Sequence, residues 1–68
     1  MYKLGIDVGG TNTDAVLIDE NLNIVADIKH PTSGDVYDGI LGAVRAVLEQ
    51  SGVDRTQIHQ AMLETEDR

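Results

Sequence analysis

The chain has 68 residues, no cysteine, and a net charge of −7 from twelve acidic against five basic side chains. That length holds one small domain burying only about 60% of its unfolded surface, and the missing cysteines exclude disulfides and thiolate metal sites. The acidic balance, the lack of a basic cluster and an aromatic content of two tyrosines, Tyr2 and Tyr37, oppose binding to nucleic acid or to an anionic membrane.

No apolar run approaches the roughly 20 residues of a membrane-spanning helix. The opening Met1-Tyr2-Lys3-Leu4 lacks the apolar region of a signal peptide. Together with the absent cysteines, these features fit a soluble protein of the reducing cytoplasm. His30 and His59 stand far apart with no ligand spacing between them; the first reads as a surface histidine at a strand end, the second as half exposed beside Ile58.

The first predicted element is a strand from Tyr2 to Val8, with Leu4, Ile6 and Val8 on one face and Lys3, Gly5 and Asp7 on the other. Gly9-Gly10 makes a tight turn, followed by Thr11-Asn12-Thr13-Asp14 and by the apolar run Ala15-Val16-Leu17-Ile18, which suits a strand covered on both faces. Glu20-Asn21-Leu22-Asn23 is a polar turn. A third strand then alternates Ile24, Ala26 and Ile28 with Val25, Asp27 and Lys29. Short loops between three strands favour an antiparallel meander.

His30-Pro31-Thr32-Ser33-Gly34 ends the strand pattern, since proline cannot donate to a ladder and Gly34 loosens the chain. A helix is predicted over 36–51, capped by Asp35, with Asp38 in its first turn and Gly52 closing it. Val36, Tyr37, Ile40, Leu41, Val44, Val47 and Leu48 form its apolar face, read as core packing. Asp54 followed by Gln57 resembles a further helix start. Only a short turn fits before Gln60-Ala61-Met62-Leu63, which can form a fourth strand, and residues 64–68 read as a frayed, charged end. There is no internal repeat and no linker, so residues 1–68 read as a single partial domain.

A turn that holds phosphate needs backbone N–H groups converging on one point with no Cβ in the way. Gly9-Gly10 suits this because glycine adopts positive φ freely. Thr11, Asn12 and Thr13 add hydroxyl and amide donors. No lysine or arginine lies between Lys3 and Lys29, so phosphate here would depend on backbone dipoles and a bound cation. Asp7, leaving the strand beside the turn, is the natural partner for Mg²⁺, directly or through water. The P-loop is excluded because no lysine stands at its required place. The dinucleotide fingerprint is excluded because the glycines are adjacent and lead into a strand.

Asp7-Val8-Gly9-Gly10-Thr11-Asn12-Thr13-Asp14 resembles the first phosphate motif of the actin-like ATPase superfamily of sugar kinases, acetate kinase, heat-shock chaperones and actin. Within it, the run from Gly9 to Asp14 is most similar to the N-terminus of the hydantoinase/oxoprolinase family. Lys29-His30-Pro31-Thr32, the helix through Gly52-Val53-Asp54, and residues 58–63 follow the same family's order, so the resemblance covers nearly the whole chain. It implies the opening half of a ribonuclease-H-like α/β layer: a three-stranded antiparallel meander, one long helix and a short fourth strand.

The resemblance also implies an ATP-dependent, Mg²⁺-requiring opening of a cyclic amide such as a hydantoin or 5-oxoproline, through phosphorylation of the amide oxygen. Asp7 would be the metal-side carboxylate, and Gly9, Gly10, Thr11, Asn12 and Thr13 the phosphate hairpin. Asp14 would serve the metal or pin the hairpin. Family members continue after the last strand with a glycine and a Thr-Thr-His run, whereas here Leu63 is followed by Glu64-Thr65-Glu66-Asp67-Arg68. The chain is therefore expected to act as one half of a nucleotide cleft, inactive alone. Its uncovered sheet face should lead to self-association or to docking with the remaining domains of a parent chain. The alternatives are a non-catalytic assembly or regulatory module of the same fold, and a sugar-kinase relative, which the Thr13-Asp14 pair fits less well.

Overall fold

A computed structural model describes residues 1–32 and 35–65. Gly34, expected to loosen the chain, and the last three residues of the charged end lie outside the described residues. Three strands, β1 (Tyr2–Val8), β2 (Asn12–Asp19) and β3 (Ile24–Pro31), are followed by helix α1 (Val36–Ser51). A single 3₁₀ turn, Arg55–Gln57, then leads into β4 (Ile58–Thr65). The strands form one sheet in the order β3-β2-β1-β4. β2 is antiparallel to both its neighbours, and β4 lies parallel to β1 on the far side. The chain therefore makes the expected meander, then crosses over through α1 to add the fourth strand.

The alternation read in β1 is obeyed: Leu4, Ile6 and Val8 are buried together with Thr13, Ala15 and Leu17 of β2 and Ala26 of β3. Register places these residues side by side on one face, with Leu4 opposite Leu17 and Ile6 opposite Ala15. Helix α1 packs on that face. Its ends are set by short-range chemistry: the Asp35 carboxylate accepts from the Tyr37 N–H at 3.0 Å. At the far end Gly52 (φ 76°) turns the chain left-handed while its N–H reaches the Leu48 carbonyl. Asp54 and Gln57 cap the 3₁₀ turn reciprocally, as their spacing foretold.

Three boundaries and one face differ from expectation. β3 runs on through Pro31, which sits at the end of an edge strand where no neighbour needs its missing N–H. β4 extends from Ile58 to Thr65, so Glu64 and Thr65 are strand residues instead of a frayed end, and His59 is exposed instead of half exposed. The buried stripe of α1 is Gly39, Ala43 and Val47, flanked by half-buried Ile40, Val44 and Leu48, whereas Val36, Tyr37 and Leu41 are exposed. The physical reason is closeness. Small side chains at the centre of the contact let the helix approach β2 and β3, and the larger apolar residues fall to its flank.

The second sheet face carries no helix among the described residues. Val16 and Ile18 stand there half exposed, so the apolar run of β2 is covered on one side only. β4 is the least covered strand, with Met62 58% and Leu63 56% exposed on opposite faces.

Candidate functional site

Across the turn between β1 and β2 the Gly9 N–H donates to the Asn12 carbonyl at 2.8 Å. Gly10 and Thr11 are exposed at its tip. Neither Gly9 nor Gly10 uses the left-handed region; among the described glycines only Gly52 has positive φ. What glycine supplies here is the absence of a Cβ, which leaves the backbone open to close approach.

Beneath the turn, cross-strand register assembles a polar row on the helix-free face. Asp7 stands opposite Asp14 of β2 and opposite Glu64 of β4, and Asp14 stands opposite Lys29 of β3. Lys29 Nζ lies 3.3 Å from Asp14 Oδ1 in an exposed ion pair, of a kind that contributes little to stability. A cavity of about 400 Å³ is lined by Asp7, Gly9, Gly10, Thr11, Asn12, Asp14 and Lys29. A second, more apolar concavity of about 270 Å³ adjoins it, sharing Asp7 and Asp14 and reaching Val16, Met62 and Glu64.

The structure thus brings together six of the seven residues singled out from the sequence: Asp7, Gly9, Gly10, Thr11, Asn12 and Asp14. The seventh, Thr13, points the other way. It is fully buried on the helix side, and its hydroxyl pairs with that of Thr32 at 2.8 Å. Two residues were missed. Lys29 supplies a cation that the interval between Lys3 and Lys29 had seemed to exclude, and Glu64 adds a third carboxylate to the row. Counting back through the β2–β3 turn would have found Lys29, because the meander register puts it beside Asp14. Glu64 had no such signal, since its place depends on a crossover of long sequence separation.

The donor set suits a hard cation. Asp7 and Asp14 are exposed carboxylates on adjacent strands beside a backbone turn. Among the described residues no three acidic or imidazole groups are gathered closely enough to hold a metal alone. A Mg²⁺ ion bound there would need phosphate oxygens and water to complete its shell, which is its usual habit. Among the described residues no helix is long and apolar enough to cross a membrane.

The fold recurs in solved structures. Component A of the (R)-2-hydroxyglutaryl-CoA dehydratase of Acidaminococcus fermentans superposes with a TM-score of 0.86 at 23% identity, over 97% of this chain and 25% of its own. The activator of the 2-hydroxyisocaproyl-CoA dehydratase from Clostridium difficile, solved with bound ADPNP, gives 0.84 at 25% identity over 100% of this chain and 25% of its own. A Chromobacterium violaceum protein assigned as an N-acetylglucosamine kinase gives 0.68 at 17% identity over 94% and 34%. The fold is that of the actin-like ATPases and sugar kinases, and this chain spans a quarter to a third of the length of those neighbours. No curated protein matches the sequence. The pattern of the hydantoinase/oxoprolinase N-terminal region matches residues 3–65, from β1 through the glycine hairpin to the end of β4, and by that match the chain belongs to the hydantoinase/oxoprolinase family.

Proposed function

We propose that residues 9–12 form the first phosphate-binding hairpin of an ATP-dependent cyclic-amide hydrolase of the hydantoinase/5-oxoprolinase type, with this chain supplying one side of the nucleotide cleft. The observation that carries the reading is the single cavity in which the exposed glycine turn, the Asp7 and Asp14 carboxylates and the Lys29 ammonium converge. Family membership and the ADPNP bound by one structural neighbour support it. Asp7 would hold Mg²⁺ directly or through water, with Asp14 as its second candidate carboxylate. Lys29 would neutralise part of the phosphate charge. When bound, the Mg·ATP pair supplies the phosphoryl group that activates the amide oxygen, so that water can open the C–N bond. The groups that recognise the cyclic amide would lie outside these residues, and the chain alone would be inactive. A cytoplasmic setting, where ATP is abundant, is part of the same proposal.

The test is a titration with MgATP followed through the amide resonances of residues 9–13. Shifts confined to those amides and to Asp7, and lost in Asp7→Asn, support the reading. No shifts at millimolar nucleotide would sink it.

A second reading follows from β4. It is an edge strand with exposed Met62 and Leu63 and carries neither lysine nor proline, the residues that commonly blunt such edges. On this reading the chain is an assembly module that pairs through β4, with a second copy or with the remaining domains of a parent protein. Sedimentation of a clean monomer at high protein concentration would exclude the self-paired form.

A further inference from the structure

Thr13 is the one polar side chain in the buried core of the described residues, with 0% of its surface exposed. A buried hydroxyl is unfavourable unless it is bonded, and this one meets the hydroxyl of Thr32, just beyond β3, at 2.8 Å. Next to that contact the Thr32 N–H donates to the Thr11 carbonyl, also at 2.8 Å. The start of α1 closes on the same point. A Cβ at Gly39 would lie 3.4 Å from the Thr13 hydroxyl oxygen and 3.6 Å from the Thr32 Cα, already in van der Waals contact with both. The hairpin, the end of β3 and the first turn of the helix therefore meet through Thr13, Thr32 and Gly39.

Adjacent glycines carry more chain entropy than any other pair, so this turn has much to gain from being held. Its Gly9 N–H meets the Asn12 carbonyl, and its Thr11 carbonyl is tied from behind by the Thr32 N–H. We propose that Thr13 is a positioning residue: through its hydroxyl bond to Thr32, and the Thr32 N–H bond to Thr11, it braces the glycine hairpin against β3 and α1. It acts on bound phosphate without touching it. The brace stands on geometry alone, and its consequence for nucleotide binding rests on the phosphate reading above.

Amide hydrogen exchange in the nucleotide-free protein tests the brace directly. Thr13→Val keeps the shape and removes the bond, and exchange at the Gly9 and Thr32 amides should quicken about fivefold, the worth of one net hydrogen bond. The mid-strand amides of Leu4 and Ile6 should hold their protection, and Thr13→Ser should restore most of what Thr13→Val loses. Thr32→Val breaks the same bond from its less buried side and serves if Thr13→Val does not fold. Unchanged exchange in the valine variants would overturn the proposal. So would an equal rise at every strand amide, which would make Thr13 an ordinary core residue. A MgATP titration of the same proteins separates the two ideas: a matching loss of affinity supports both. Local loosening without binding, even by the unaltered protein, would support the brace and sink the nucleotide reading.

Discussion

β2 is bounded by two short turns, Gly9-Gly10-Thr11 and Glu20-Asn21-Leu22-Asn23, and they are organised in different ways. At the turn to β3 the Asp19 carboxylate folds back on its own loop: one oxygen accepts the N–H groups of Asn21 and Asn23, both at 2.9 Å. The other oxygen meets the Asn23 side chain at 3.4 Å. The loop satisfies itself, even at the expense of a left-handed Leu22 (φ 66°). The turn to β1 is built differently. Gly9 and Gly10 lack side chains, Thr13 is turned into the core, and the carboxylates of Asp7 and Asp14 lie below the turn beside an open cavity. A turn whose acid serves its own amides is a structural device. A turn with acids beside it lining an open cavity is the one assigned here to a ligand.

The largest expected effect tests whether both turns belong to one cooperative body. Leu17 lies midway along β2 and is fully buried. Leu17→Ala should cost about 2–5 kcal/mol, and urea denaturation followed at Thr11 and at Asn23 should show both turns lost in one transition. Separate midpoints would break the comparison into two independent loops.

Next in size is Gly10→Val. As a surface change it should move stability by no more than about 0.5 kcal/mol. Its added Cβ should nevertheless weaken MgATP binding at least about tenfold, read by titration. The mirror-image change at the other turn, Leu22→Gly, removes an L-residue from the left-handed region. It should raise stability by about 1 kcal/mol in thermal unfolding without altering nucleotide binding.

The smallest effect concerns pH. The Asn23 N–H first, and then that of Asn21, hold the Asp19 carboxyl below its ordinary value near 3.8. A carboxyl depressed in the folded state stabilises fully above its unfolded value and loses that contribution as pH falls through the folded one. Thermal stability should therefore carry a small component lost below about pH 4. That component should vanish in Asp19→Asn, which keeps an acceptor oxygen but cannot titrate.

Much of this is written in the order of residues. Alternation of Leu4, Ile6 and Val8 selects a strand, Asp35 and Gly52 bound the helix, and Asp7 with Gly9-Gly10 marks the hairpin, because these are interactions over a few residues. Other features belong to packing. The helix buries Gly39, Ala43 and Val47 because their small side chains let it come close to the sheet, a choice that apolarity alone does not reveal. Lys29 and Glu64 join Asp7 and Asp14 because strand register aligns residues far apart in the chain. Thr13 turns from the cavity to Thr32 because the two-residue period of β2 assigns it to the covered face, where its hydroxyl needs a partner. Sequence alone determined the elements, their caps and the turn. Tertiary structure decided which side chains face one another across them, since that depends on contacts between strands, which local order does not contain.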